Sequence, residues 1–259
     1  MSAELRAEGI AKHFGGVRAL ENASVQVRPG RVMGLIGRNG SGKTTLFNCI
    51  TGFFEPDAGR VWVDGHDLTG RPPDRLVLAG VARTFQTPRI HARATVRDAV
   101  ACGAYGRGRA GFLASIAALP AARADERRIR QQAEDLMARL GLAELAQHEI
   151  GHLSMGMVRL VEVARSMAAG ARYLLLDEPA AGLSAAEQGA LARQVRTLAD
   201  EGVGVLLVEH NFALVRRLCD DVTVLDSGCV IAAGAPEAVA RDERVVATYL
   251  GVAAAAEGA

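Results

Sequence analysis

Short apolar runs closed by glycines or carboxylates alternate along this chain with stretches whose apolar positions recur at helical intervals. Val32-Met33-Gly34-Leu35-Ile36, Tyr173-Leu174-Leu175-Leu176, Val203 to Val208 and Val222 to Leu225 have the length and content of buried strands. Leu46-Phe47-Asn48-Cys49-Ile50 and the segments before Val203 and Val222 have helix-forming character. Strands separated by helices are how a mainly parallel sheet is written, because parallel neighbours need a crossover between them. The pattern predicts an α/β fold.

Two regions depart from this alternation. From about Glu4 to Asp64 the chain reads as short β-segments around turns at Gly15-Gly16, Pro29-Gly30 and Pro56-Asp57-Ala58-Gly59. From about Thr95 to Ile150 it reads as helix, clearest between Asp125 and Leu140, where Ile129, Ala133, Leu136 and Leu140 share one face. The expected organisation is a core of residues 1–94 and 151–252, a helical insert over 95–150, and a frayed alanine-rich tail over 253–259.

Composition narrows the classes. Of 259 residues, 49% are hydrophobic, enough for a buried core rather than a disordered chain. Lys plus Arg total 30 against 29 for Asp plus Glu, so no global basic field recruits nucleic acid, and no nucleic-acid partner is expected. Cys49, Cys102, Cys219 and Cys229 lack metal or redox spacing and are expected to be small core residues in a reducing cytosol. Met1 to Arg6 lacks the apolar region of a signal peptide, and no stretch approaches the roughly 20 apolar residues of a membrane span, so the chain is expected to be soluble by itself.

The most specific chemistry is Gly37-Arg38-Asn39-Gly40-Ser41-Gly42-Lys43-Thr44-Thr45, which matches the phosphate-cradling pattern G-x-x-x-x-G-K-[ST] at every fixed position. Its glycines let consecutive backbone N–H groups turn around a polyphosphate, and the helix that opens near Gly42 adds the positive end of its dipole. Lys43 is expected on the β and γ phosphates, Thr44 on Mg²⁺, and Thr45 as a further contact. The predicted strand before and helix after the loop are the context this motif requires. A second element, Tyr173 to Glu178, is an apolar strand ending in two carboxylates, and strand ends are where α/β sheets bind ligands. Asp177 suits a Mg²⁺ ligand, directly or through water; Glu178 suits a base that orients the attacking water.

With these motifs the sequence resembles the ATP-binding subunits of ABC transporters over almost its whole length, in the family's order. The resemblance implies a P-loop ABC ATPase domain with a mainly parallel core sheet, an N-terminal antiparallel β-region and an inserted helical subdomain, hydrolysing ATP with Mg²⁺. It places Phe14 against adenine, Gln86 of Arg83-Thr84-Phe85-Gln86 near Mg²⁺ and the γ-phosphate, and Ser154 and Gly156 in a signature loop, Leu153-Ser154-Met155-Gly156. Asp177 corresponds to the metal-binding aspartate, Glu178 to the catalytic glutamate, and His210 to the switch histidine. It further implies a second ATP-binding subunit, identical or homologous, whose ATP this signature loop completes.

Two positions depart from the family pattern. Gly156 is followed by Met157 and Val158 where a glutamine is usual, which leads to the expectation that the two sites of a pair are unequal. Ser184 stands where many relatives have aspartate, and Ser184-Ala185-Ala186-Glu187 reads as a capping box for the following helix.

Gly37-Arg38-Asn39-Gly40, Arg83-Thr84-Phe85-Gln86, Asp177 to Leu183 and Ala247-Thr248-Tyr249-Leu250-Gly251 are similar to the branched-chain amino acid uptake type. That likeness implies membrane permease subunits, an extracytoplasmic substrate-binding protein, and a peripheral position on the cytoplasmic face of the inner membrane. An exporter subunit, or a soluble assembly or repair ATPase, is the alternative. The apolar segment Ala110 to Pro120 is read either as permease-facing surface or as packing within the insert.

Overall fold

The apolar runs become neighbouring strands of one sheet. In the computed structural model, which describes residues 3–84, 90–107 and 120–250, six strands lie in the order β10-β9-β3-β8-β7-β6. They are β3 (Val32–Ile36), β6 (Val81–Arg83), β7 (Tyr173–Asp177), β8 (Gly204–Val208), β9 (Asp221–Asp226) and β10 (Cys229–Gly234). Only the β9–β10 pairing is antiparallel. β7 and β8 are buried at every residue, which is why their sequences are continuously apolar rather than alternating.

The N-terminal region forms a separate four-stranded antiparallel sheet, β2-β1-β4-β5, from β1 (Leu5–Phe14), β2 (Val17–Val27), β4 (Ala58–Val63) and β5 (His66–Asp67). The expectation of short segments needs correction here, since β1 has 10 residues and β2 has 11. Their pairing shifts register between Ala7 and Ile10 and again on either side of Lys12, so the period-2 pattern that would have announced long strands is interrupted. Between the sheets, α1 (Lys43–Ile50) buries Leu46, Phe47 and Ile50 in a cluster with Leu5, Ile10, Leu20, Leu76, Tyr173, Leu206 and Leu225. Each such side chain contributes roughly 1.5–3 kcal/mol on burial.

Contacts group the chain into two compact units. The first is residues 1–83, 172–179 and 195–259, and holds both sheets. The second, 84–171 and 180–194, contains the expected insert and also α5 (Met155–Ala168) and the start of α6 (Ala185–Asp200). Its core comes from α3 (Val96–Ala104), α4 (Pro120–Arg139) and α5. Ile129, Ala133, Leu136 and Leu140 are all buried, as their shared face requires. Thr95 caps α3 by accepting from the Asp98 N–H at 3.1 Å.

Cys49 and Cys219 are buried, but Cys102 is exposed and Cys229 half-buried, so the expectation of four core cysteines fails for two. Cys102 follows Val96, Ala99 and Val100 on α3 by increments that carry it to the outer face. Gln86, the apolar segment 110–119 and the tail 253–259 lie outside the described residues. No helix among the described residues is long and apolar enough to cross a membrane.

Candidate active site

The chain leaves β3 at Ile36, turns through Gly37 to Gly42 and enters α1 at Lys43. Gly42, the N-cap, has φ 103°, and a Cβ there would meet the Ala19 carbonyl oxygen at 2.6 Å. Both the backbone conformation and the space demand glycine. The loop closes on itself: Lys43 is largely buried and its Nζ donates to the carbonyls of Gly37 at 2.7 Å and Arg38 at 2.9 Å. Gly228 N–H donates to the Ser41 carbonyl at 2.9 Å and so holds the loop from β9–β10. Arg38, Asn39, Gly40 and Thr44 are exposed; Thr45 is half-buried.

The sheet order sets what stands beside this loop. β3 pairs with β8 and β8 with β7, Leu35 opposite Val208 and Val208 opposite Asp177. The ends of these three strands therefore fall side by side, carrying the phosphate loop, His210 and Asp177-Glu178. Asp177 is buried, with its Oδ2 3.7 Å from Arg83 Nη2. Glu178 has φ 45°, a left-handed conformation that costs a non-glycine residue about 1 kcal/mol or more, and it is fixed there by its N–H bond to the Val208 carbonyl at 2.9 Å. Glu178 Oε1 lies 3.9 Å from His210 Nδ1, and His210 N–H donates to the buried Glu209 carboxylate at 3.3 Å. Burial pushes the Lys43 pKa below its ordinary value, while the fields of Glu178 and Asp177 pull it partly back.

These residues fit a Mg²⁺–polyphosphate. α1 begins with no capping side chain and no acidic residue in its first turn, so its own first turn supplies no anion to its positive end. Ser41 Oγ is buried without a hydrogen-bond partner among the described residues. A buried carboxylate, Asp177, and a hydroxyl-bearing helix start at Thr44 are sparse oxygen donors of the kind that suits Mg²⁺, which keeps waters and takes further ligands from phosphates. Among the described residues no cluster of three or more His, Cys, Asp and Glu side chains could cage a metal by itself.

Arg83 was quoted in the sequence only as a neighbour of Gln86, and its part in the site was missed. Its guanidinium donates to Asn48 Oδ1 at 2.8 Å and Thr51 Oγ1 at 3.0 Å, with the rings of Phe47 and Phe53 at 4.6 and 4.7 Å. The signal was a cation at the end of a buried strand, which demands partners. Phe14 ends β1, is 44% exposed, and meets Phe54 edge-on at 5.3 Å with Lys12 Nζ 5.7 Å from its ring centre. Gln86 cannot be placed, lying outside the described residues.

In the second unit Ser154 is the N-cap of α5, accepting from the Met157 N–H at 3.4 Å. Met155 and Met157 are exposed on the first turn, and Gly156 is buried. The capping box at Ser184 is present and reciprocal: Ser184 N–H donates to Glu187 Oε2 at 3.0 Å, and Glu187 N–H donates to Ser184 Oγ at 3.4 Å. Glu187 also uses its other oxygen. Oε1 accepts from Ser154 Oγ at 2.8 Å and from the Gly156 N–H at 3.2 Å, which no sequence pattern had indicated.

Known proteins agree with this architecture. A family model described as ABC transporter matches residues 20–181. The high-affinity branched-chain amino acid transport ATP-binding protein BraF of Pseudomonas aeruginosa is 36% identical over 250 residues, spanning 96% of this chain and 98% of its own. The corresponding protein LivG of Escherichia coli is 33% identical with the same coverage. Among solved structures, a nucleotide-free ATP-binding cassette from an ABC transporter has a TM-score of 0.83 at 33% identity, covering 95% of this chain and 98% of that one. An ATP-binding cassette in its ADP conformation has a TM-score of 0.84 at 33% identity, covering 97% and 100%. With the family model matched over more than half of its length and relatives more than 30% identical covered almost end to end, the chain belongs to the ABC transporter family, among its ATP-binding subunits.

Proposed function

We propose that the chain binds Mg·ATP on the Gly37–Thr45 loop and hydrolyses it to drive uptake of branched-chain or similar small amino acids through membrane permease subunits. The observation that supports the catalytic part is the alignment of three strand ends, with Glu178 3.9 Å from His210 and the fields of Glu178 and Asp177 reaching the buried Lys43. Lys43 exchanges its two carbonyl partners for phosphate oxygens, and the α1 amides with Ser41, Gly42, Thr44 and Thr45 complete the cradle. Arg38, Asn39 and Gly40 carry the loop's backbone over the phosphates. Phe14 stacks on the adenine. Thr44, Asp177 and Gln86 are the residues for Mg²⁺, which supplies charge neutralisation at the transferring phosphoryl group when bound. Glu178 positions and deprotonates the attacking water, and His210 donates to the γ-phosphate as its charge develops.

Ser154 and Gly156 serve the nucleotide of a second ATP-binding subunit, so two such subunits close on two nucleotides. Closure then moves the permease between access states, because ATP makes more contacts with the closed pair than with the open one. The uptake assignment is supported by the names of the relatives above, and it brings with it an extracytoplasmic binding protein and a peripheral place on the cytoplasmic face of the membrane.

Two variants test the chemistry. Lys43→Ala is expected to lose nucleotide binding. Glu178→Gln is expected to retain binding while turnover falls by roughly 10²- to 10⁴-fold. Equal loss of turnover and binding in Glu178→Gln would refute the role given to Glu178. For transport, the chain co-purified with its permeases and binding protein should hydrolyse ATP faster when leucine, isoleucine or valine is supplied. No response to any small amino acid removes the substrate assignment while leaving the ATPase intact.

A further inference from the structure

Glu187 holds the two donors assigned above to a second subunit's nucleotide. Its Oε1 accepts the Ser154 hydroxyl proton at 2.8 Å and the Gly156 amide at 3.2 Å, while Oε2 stays on Ser184 Oγ at 2.8 Å and Ser184 N–H at 3.0 Å. All four residues lie within the second unit. A serine hydroxyl has one proton and a peptide has one N–H, so donors committed to a carboxylate oxygen are not simultaneously available to a phosphate oxygen. The fit is close: a Cβ on Gly156 would come within 2.8 Å of Oε1 and 2.9 Å of Glu187 Cβ. These bonds to the ionised form hold the Glu187 carboxyl at about 2, so it is an anion at neutral pH. A carboxylate and a terminal phosphate are interchangeable guests at such a seat, each offering an anionic oxygen near the start of a helix, here the 14-residue α5.

We propose that the Glu187 carboxylate is an intrachain occupant of the Ser154–Gly156 anion seat, which must withdraw before that seat can take the terminal phosphate of ATP held by a second copy of this chain. The inference rests on the signature-loop reading under Proposed function. Glu187 is thus a positioning residue in the unpaired chain and a brake on pairing. Its withdrawal need not unmake the helix cap, because Oε2 bonds Ser184 independently of Oε1.

The test is sedimentation velocity of full-length chains carrying Glu178→Gln, which keeps nucleotide from being consumed, titrated with Mg·ATP. Adding Glu187→Gln retains an amide oxygen for Ser184 N–H and removes the charge; a thermal melt checks that the fold survives. The expected result is pairing at about tenfold lower protein concentration, the scale of one charge-assisted hydrogen bond no longer displaced. Unchanged or weaker pairing overturns the inference. Ser154→Ala in the same background separates the two levels. If Ser154→Ala weakens pairing while Glu187→Gln changes nothing, the signature reading stands and only the brake falls. If the parent chain does not pair with itself, the second copy is not the partner and the inference falls; if Ser154→Ala pairs equally well, the signature reading falls and the brake with it. In the unpaired chain, the Gly156 amide should exchange with solvent several-fold more slowly than in Glu187→Ala. Equal exchange overturns the occupancy directly.

Discussion

Arg83 Nη2 stands 3.7 Å from Asp177 Oδ2, and the same guanidinium bonds Asn48 and Thr51 and lies against Phe47 and Phe53. It joins the end of β6 to the helix that follows the phosphate loop and to the carboxylate proposed for Mg²⁺. Both side chains are largely buried, so removing the guanidinium takes a nearby cation from a buried carboxylate. Arg83→Ala is expected to cost about 3 kcal/mol of unfolding free energy in urea titrations. Arg83→Lys should recover only part of this, since an ammonium cannot make the forked bonds and the stacking together. A loss below about 0.5 kcal/mol in Arg83→Ala would show that the cluster has no structural weight.

His210 calls for a different readout. It is 59% exposed and faces Glu178 at 3.9 Å. His210→Ala is therefore expected to leave the melting temperature and nucleotide affinity nearly unchanged while turnover falls by about 100-fold or more. Parallel loss of affinity and turnover would contradict a role confined to the developing charge on the γ-phosphate.

Much of this site was legible in the sequence because it depends on local spacing. Strand, glycine loop and helix are contiguous from Val32 to Ile50, and Asp177-Glu178 are recognisable as carboxylates at the end of an apolar run. β3 coincides with the run Val32 to Ile36, and β7 extends its run by Asp177 alone. What could not be read depends on pairing across distance. The bond between Ser154 and Glu187 joins residues 33 apart, and the sequence explained Glu187 completely as a helix cap, leaving no unexplained carboxylate to search for. Arg83 reaches partners 35 and 32 residues away. β1 and β2 were read as short because their register shifts break the alternation that betrays a long strand.

The capping box gives an acid-range prediction. The Glu187 carboxyl is lowered from 4.5 to about 2, first by the Ser184 side chain, then by its backbone N–H, Ser154 and Gly156. A folded-state pKa below the unfolded one means the contribution is complete above about pH 4.5 and is lost as pH falls towards 2. The melting-temperature difference between the wild type and Glu187→Gln should accordingly be constant from pH 7 to 5 and shrink on further acidification. A difference independent of pH down to 3 would mean that the bonds do not depend on the ionised carboxylate.

Met157 and Val158 bear on the balance between the two sites of a pair. Ser154, the cap, and Gly156 can donate to a phosphate, but the exposed Met157 and half-buried Val158 offer no side-chain donor where the family usually has glutamine. An added hydrogen bond to a charged phosphate is worth about 1.5–3 kcal/mol, or about tenfold or more in rate if it forms only as hydrolysis proceeds. The site completed by this chain's loop should therefore turn over more slowly than one completed by a glutamine-bearing loop. In a pair with a homologous, glutamine-bearing subunit, Met157→Gln combined with Val158→Gln is expected to raise single-turnover hydrolysis at that site by about tenfold and to leave the other unchanged. Because Met157 is exposed and Val158 only half-buried, the change should not disturb the α5 core, which a matched melting temperature would verify. Unchanged hydrolysis at both sites in a folded double variant would show that the donors already present suffice, and that the apolar turn serves a surface rather than the nucleotide.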